Sequence, residues 1–349
     1  MQDVCSHIID THEGALGSVV ARLLSDLPDW APLPPAFLDA LGLVRLGGDV
    51  ADPGLYSAGE FRALPTTTEA ATYLSGAGQV ADTYTGVLLR DLLADAGGIV
   101  TDPAAKNDIL SHYVVATGSD GYHAVFSIGE LEQRFGNQPV LIAYTDQAGQ
   151  LGPDGSEGWL RMVVPGDAAG GRYVSHPVEL TVGSGSDFVA GPGGPSTEFH
   201  LDGAVAHPVS FDEAGLAALT DVTLTATYAS GAGQVTDTYT GVPLWDLLQD
   251  AGVLTDPAVK NDILDFYVVA TGSDGYRAVF SMGELDPRFG NGGVLVAYDD
   301  ALGQLGPSGQ DGFARLVVPD DTAGGRYVSN LVSIEVVDAA GHRHDPVWG

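Results

Sequence analysis

Cysteine occurs once, at Cys5, which rules out an internal disulfide and any multi-cysteine zinc or iron–sulfur centre. Lysine occurs only at Lys106 and Lys260, and 14 basic residues stand against 46 acidic ones, a formal charge of −32. Such a charge repels phosphate backbones and anionic headgroups, so nucleic acid and membrane surfaces are disfavoured as partners. Cations, small molecules or other proteins are the expected ones. No apolar run approaches the ~20 residues that span a bilayer, and the first 30 residues lack a basic start with an unbroken apolar core. The chain is therefore expected to be soluble and without a signal peptide; a mature periplasmic or extracellular form would read the same way. Acids in excess of lysines also suit a salt-loving cytoplasm, where the charge serves solubility.

What the chain does have is enough apolar material to fold, 44% hydrophobic against 17% charged, and a long internal repeat. GAGQVADTYTGV at 76–87 returns as GAGQVTDTYTGV at 231–242, and YVVATGSDGYHAVFSIG at 113–129 returns as YVVATGSDGYRAVFSMG at 267–283. Each copy is domain-sized, too long for a solenoid unit. The expected organisation is an N-terminal arm at 1–42, a first domain at 43–182, a Gly/Ser/Pro linker at 183–197, a second domain at 198–338 and a tail at 339–349. The linker's composition favours an extended, mobile connection. In the arm, Leu16, Val19, Val20, Leu23 and Leu24 fit one helical face, and Pro28, Pro32, Pro34 and Pro35 are expected to stop any helix.

Within each copy one helix is expected after the Thr-Tyr-Thr-Gly turn. Leu88, Leu89, Leu92, Leu93 and Ala96 form its apolar stripe with Gly97 as stop; in the second copy Pro243 sits early and Gly252 ends the run. Most of the rest reads as strands: 113–116 and 122–126 about a Ser-Asp-Gly turn, then 140–144, 160–164 and 173–182. The fold class expected is α+β, mainly β, as a tandem duplication.

The order of motifs resembles the molybdopterin-binding domain of the sulfite oxidase family, including its bacterial molybdopterin-dependent oxidoreductase relatives. The carrying residues are Gly48-Asp49-Val50 with Pro53, Thr85-Gly86-Val87 with Leu92-Leu93, Ser119-Asp120-Gly121-Tyr122, Arg161-Met162-Val163-Val164-Pro165-Gly166 and Gly171-Arg172-Tyr173-Val174, a series repeated in the second copy with Asp320 in place of Gly166. The resemblance implies a pterin-dithiolene molybdenum cofactor, a ligating cysteine on a loop before the helix, and oxygen-atom transfer or reductase chemistry carried by the cofactor. That loop reads Thr72 to Gly78 in one copy and Thr227 to Gly233 in the other, with Ser75 and Ser230 but no cysteine. Serine is a harder, far less acidic ligand than a thiol. The family's histidine before the Arg161 strand is replaced by acidic residues around Asp154-Gly155-Ser156-Glu157-Gly158, and its lysine after Arg172 by Ser175, or Ser329 in copy two.

Eight of the basic residues occupy matched positions: Lys106/Lys260, Arg134/Arg288, Arg161/Arg315 and Arg172/Arg326. A guanidinium fork grips oxyanions bidentately, so Arg161, Arg172, Arg315 and Arg326, with Ser75 and Ser230, are the candidate cofactor-binding or small-anion residues. Pairing with neighbouring carboxylates is the alternative role for the same arginines. No metal site is assigned. Asp120 and Asp274 read as turn formers; Asp146, Asp154 and Glu157, with Asp299, Asp300 and Asp311, read as solvated acidic loops rather than a calcium site; His342, His344 and Asp345 belong to the tail. Two functions are open: a molybdopterin-oxidoreductase-like protein with catalysis lost or altered, holding a pterin or another small anion, and a cofactor-free acidic binding or assembly module, with cations or a protein as partner.

Overall fold

The computed structural model describes residues 34–341 except 153–154, 186–188, 232, 291, 304 and 306–308. The expectations for Cys5, the 16–24 helix, Pro28, Pro32, Asp154 and the tail histidines lie outside the described residues.

The chain enters through helix α1, Pro35–Leu41. Pro34 and Pro35, expected to stop a helix, instead open one, because proline's fixed φ and missing N–H cost nothing at the first helical positions. Leu38 from α1 packs with Leu43 and Val178.

Nine strands follow in the first copy: β1 Leu43–Gly48, β2 Gly54–Ser57, β3 Thr67–Ser75, β4 Gly78–Leu88, β5 His112–Gly118, β6 His123–Ser127, β7 Leu141–Thr145, β8 Arg161–Val163 and β9 Pro177–Ser184. They form a five-stranded sheet of order β2-β1-β9-β5-β6 and a four-stranded sheet of order β3-β4-β7-β8. Helix α2, Ala58–Ala63, and helix α3, Leu89–Asp95, connect them.

The second copy repeats this with β10 Phe199–Gly203, β11 Val209–Phe211, β12 Val222–Ser230, β13 Gly233–Pro243, β14 Phe266–Gly272, β15 Arg277–Ser281, β16 Leu295–Asp299, β17 Arg315–Val317 and β18 Leu331–Asp338. The sheet orders, β11-β10-β18-β14-β15 and β12-β13-β16-β17, match those of the first copy position for position. The duplicated, mainly β, α+β class is thus what the chain adopts.

Three expectations are corrected. The segment before α3 is not a loop: Thr67–Ser75 and Gly78–Leu88 pair as a long antiparallel hairpin closed by Gly76-Ala77, and the Thr-Tyr-Thr-Gly run lies inside β4. Strand β9 starts at Pro177, not at residue 173, because Gly170–Arg172 forms a 3₁₀ turn and His176 takes φ +49°. The linker is not free: Gly191 and Gly193 donate to the carbonyls of Asp274 and Ser273 at 3.0 Å, and Ser273 Oγ donates to Gly194 O at 2.6 Å.

The repeated glycines have physical causes. The register of β4 slips between Thr85 and Gly86, and a Cβ at Gly86 would stand 2.1 Å from the carbonyl oxygen of Ile142; Gly241 meets Val296 O at 2.2 Å. Only glycine allows that approach. The apolar stripe falls as expected: Leu89, Leu92 and Leu93 of α3 are buried, and in the second copy helix α4, Leu244–Ala251, buries Leu244, Leu247 and Leu248 and ends at Gly252 with φ +70°.

By contacts the chain divides into two compact units that do not follow the repeat boundaries. One comprises 1–100, 114–124 and 139–183; the other comprises 101–113, 125–138 and 184–349. The second unit therefore incorporates two segments that belong by sequence to the first copy. Inside it, single-turn helices α5, Ile128–Leu131, and α6, Met282–Leu285, begin with capping boxes from Ser127/Glu130 and Ser281/Glu284. The two boxes exchange partners, Ser127 Oγ donating to Glu284 at 2.6 Å and Ser281 Oγ to Glu130 at 2.9 Å, all buried. The unit's core runs through Phe199, Leu201, Leu247, Val268, Phe280 and Ile334.

Candidate functional site

The motifs that carry the resemblance meet in space, and hydrogen bonds show why. In the first unit Tyr122 of the Ser-Asp-Gly-Tyr turn donates its hydroxyl to Gly171 O at 2.5 Å, one residue before Arg172. Tyr173 then donates to Val164 O, at the end of the Arg161 strand, at 3.0 Å. Tyr276 to Gly325 and Tyr327 to Val318 repeat both bonds in the second unit. The 3₁₀ turn bearing the second arginine is thus clamped from two sides. Asp120 and Asp274 accept from the backbone N–H of Tyr122 and Tyr276 and shape their turns.

Arg172 is 1% exposed and donates from Nε and Nη2 to both carboxylate oxygens of Asp167, at 2.9 and 2.6 Å. Arg326 makes the same fork to Asp321, at 2.9 and 2.6 Å, and adds Nη1 to Glu284 at 2.6 Å with Cζ 5.1 Å over the Phe280 ring. Burial on its own would lower the Arg326 pKa; Glu284 and Asp321 outweigh it and raise it. Burial pushes the Asp321 carboxyl up, against the pull of Arg326.

The other matched pair differs. Arg161 lies over Tyr73 and Tyr173, with Nε 3.4 Å from Glu157, and Ser175 Oγ donates to the same carboxylate. Arg315 lies over Tyr239 and Tyr327 and donates Nη1 to Asp311 at 2.5 Å. Each leaves its buried Nε without a hydrogen-bond acceptor among the described residues. Burial raises the pKa of Tyr173 and Tyr327, so these rings stay neutral phenols.

Ser75 and Ser230 sit at the hairpin tips, each donating to the carbonyl across its turn, Gly78 at 2.8 Å and Gly233 at 2.9 Å. The backbone joins β3 to the arginine turn through Leu74 N to Ala168 O at 2.9 Å. Arg161, Tyr73, Tyr173 and the Arg172 turn are therefore brought together, with Ser75 two residues beyond Tyr73. Of the remaining matched cations, Arg288 pairs with the buried Asp286 at 2.5 Å, Arg134 lies over Phe135, and Lys106 lies over Tyr276. Asp146 accepts from three backbone N–H groups of its own loop. Among the described residues no group of three or more His, Cys, Asp or Glu is placed to hold a metal, and no helix is long and apolar enough to cross a membrane.

Glu157 and Asp311, expected as solvated loop acids, are the ion-pair partners of Arg161 and Arg315, while the counter-ions Asp167 and Asp321 were missed by sequence reasoning. Their signal was present: Asp167 precedes Arg172 by five residues and Asp321 precedes Arg326 by the same spacing.

The chain matches no family model and no curated protein. Among solved structures it is similar to the sulfane dehydrogenase SoxCD from Paracoccus pantotrophus, at 22% identity and a TM-score of 0.32 over 49% of this chain. The match covers 43% of the SoxCD chain, less than half its length.

Proposed function

We propose that the chain is a cofactor-free acidic binding module, built twice on one plan, in which the arginines expected to grip a cofactor serve as structural ion pairs. The observation that carries this is that Arg161, Arg172, Arg315 and Arg326 each have a carboxylate partner within their own unit. A pterin phosphate at Arg172 would have to displace Asp167 from a two-point contact at a group 1% exposed. Such a buried exchange leaves a carboxylate uncompensated, at a cost of about 3–5 kcal/mol. The residues present therefore do not fit a pterin-dithiolene metal, and Ser75 and Ser230 spend their hydroxyls inside the hairpin turns.

The test is the content of molybdenum, tungsten and oxidised pterin fluorescence after expression in a host that makes the cofactor, for the wild type and for Ser75→Cys/Ser230→Cys. Both proteins are expected to carry neither metal nor pterin. Near-stoichiometric loading of the wild type overturns the proposal and establishes the competing oxidoreductase-like reading; loading of the double variant alone shows that only the sulfur was lacking, which overturns the purely structural role given to the arginines.

A further inference from the structure

One cavity lies away from the paired arginines, beside the second Ser-Asp-Gly-Tyr turn. It has a volume of about 130 Å³ and is lined by Lys106, Ser111, Tyr276 and Arg277, with Asp108 and Asp274 and small residues around them. All of these belong to the second unit. We infer that this cavity binds a small oxyanion of phosphate or carboxylate size; the inference rests on the binding-module reading and supplies its ligand class and place.

The charges differ in availability. Asp108 accepts from Asp102 N at 2.7 Å and from Ser111 Oγ at 3.2 Å, and Asp274 accepts from Tyr276 N at 2.9 Å, so both carboxylates are engaged in shaping their loops. Lys106 is exposed, its ammonium 5.7 Å from the Tyr276 ring centroid, with no carboxylate in ion-pair contact among the described residues. Tyr276 is itself fixed, donating to Gly325 O and accepting from Asn107 Nδ2 at 3.1 Å. A lysine held over an aromatic wall in so acidic a chain keeps its donors for an anion. The rest of the −32 charge does not cancel it, since at physiological salt the Debye length is about 8 Å.

Comparison with the matched positions of the repeat points the same way. Of the lining positions only three differ: Ala105 corresponds to Val259, Ser111 to Asp265, and Arg277 to His123. Each change makes the second-unit cavity roomier or more positive. Random drift after duplication has no reason to move all three in that direction. The volume is ample for a few waters, or for one small anion that displaces them.

Calorimetric titration of the full-length protein at constant ionic strength tests this, with potassium phosphate in one arm, potassium acetate in another and potassium chloride as reference. Binding with a Kd of roughly 1–10 mM is expected in at least one oxyanion arm, and the tighter arm identifies the source. Lys106→Ala, which removes one charge-assisted contact, and Arg277→His and Ser111→Asp, which make the lining less basic or more acidic, are each expected to weaken it at least about fivefold. Arg62→Ala, an exposed cation of the first unit, should leave it unchanged. The two latter cavity variants import residues that the matched positions already carry, His123 in the first copy and Asp265 in the second, and circular dichroism confirms that each is folded. No heat beyond chloride overturns the inference, as does wild-type binding that the cavity variants retain. Metal and pterin content is read separately, so a failure here leaves the cofactor-free proposal standing.

Discussion

Replacing Arg326 by methionine separates a structural ion pair from a ligand-gripping arginine. Methionine keeps most of the length and apolar contact over Phe280, so what is lost is the charge shared between Asp321 and Glu284. Both carboxylates are under a tenth exposed, and removing the guanidinium that bridges them leaves buried charge uncompensated, at about 3–5 kcal/mol. Hydrogen exchange across β14, β15 and α6 reads this locally, which matters because a two-unit chain need not unfold in one step. Exchange limited by opening of this unit should accelerate by roughly two to four decades at neutral pH. The deficit should also depend on pH. Burial holds the Asp321 carboxyl above the ordinary carboxylate value even with its arginine present. A raised carboxyl favours the folded state below the unfolded-state value and loses that contribution as pH rises through the folded one. The variant should therefore recover toward wild type as the solution is acidified. An acceleration below about fivefold, equivalent to less than 1 kcal/mol, or a deficit that grows on acidification, would refute the structural-pair reasoning.

Gly86→Ala should destabilise the first unit by about 2 kcal/mol or more through a backbone clash with Ile142 that no rotamer relieves, measured by the urea midpoint. Helix α1 is tied down by His176 Nδ1 to Asp39 at 3.0 Å. Burial lowers the His176 pKa, and the bond and charge of Asp39, with the Ser156 carbonyl and the Glu157 charge, together outweigh it, giving a net rise. The tie should be complete below the free imidazole range and lost as pH rises through the raised value, visible as faster proteolysis within 34–42 at alkaline pH; His176→Ala should abolish that dependence.

The repeat and the helix stripes were legible because they depend on local periodicity. Leu89, Leu92 and Leu93 read as one face whether or not the partner sheet is known. The β3–β4 hairpin was hidden because Ser75-Gly76-Ala77-Gly78 has turn chemistry that a long loop shares, and pairing to Thr85 and Gly86 is set by residues far along the chain. The site was half legible. The ordered motifs are real architecture, since Tyr122, Tyr173 and Gly171 bond to one another's segments. Whether Arg172 holds a ligand or a carboxylate depends on which acid lies beside it in space; the five-residue spacing to Asp167 carried that information, but it becomes decisive only once the 3₁₀ turn brings the two together. The placement of Lys106, one of the matched cations, could not be read, because the ring it covers stands 170 residues away.

The make-up of the second unit bears on how the protein is made. Residues 101–113 and 125–138 leave the ribosome well before β18, whose last residue, Asp338, is 200 positions after 138. At 5–20 residues per second that delay is roughly 10–40 s. Throughout it the early segments, whose Phe126 and Leu131 end up buried, await the rest of their unit. Truncation between the copies would thus part these two segments from the unit they belong to.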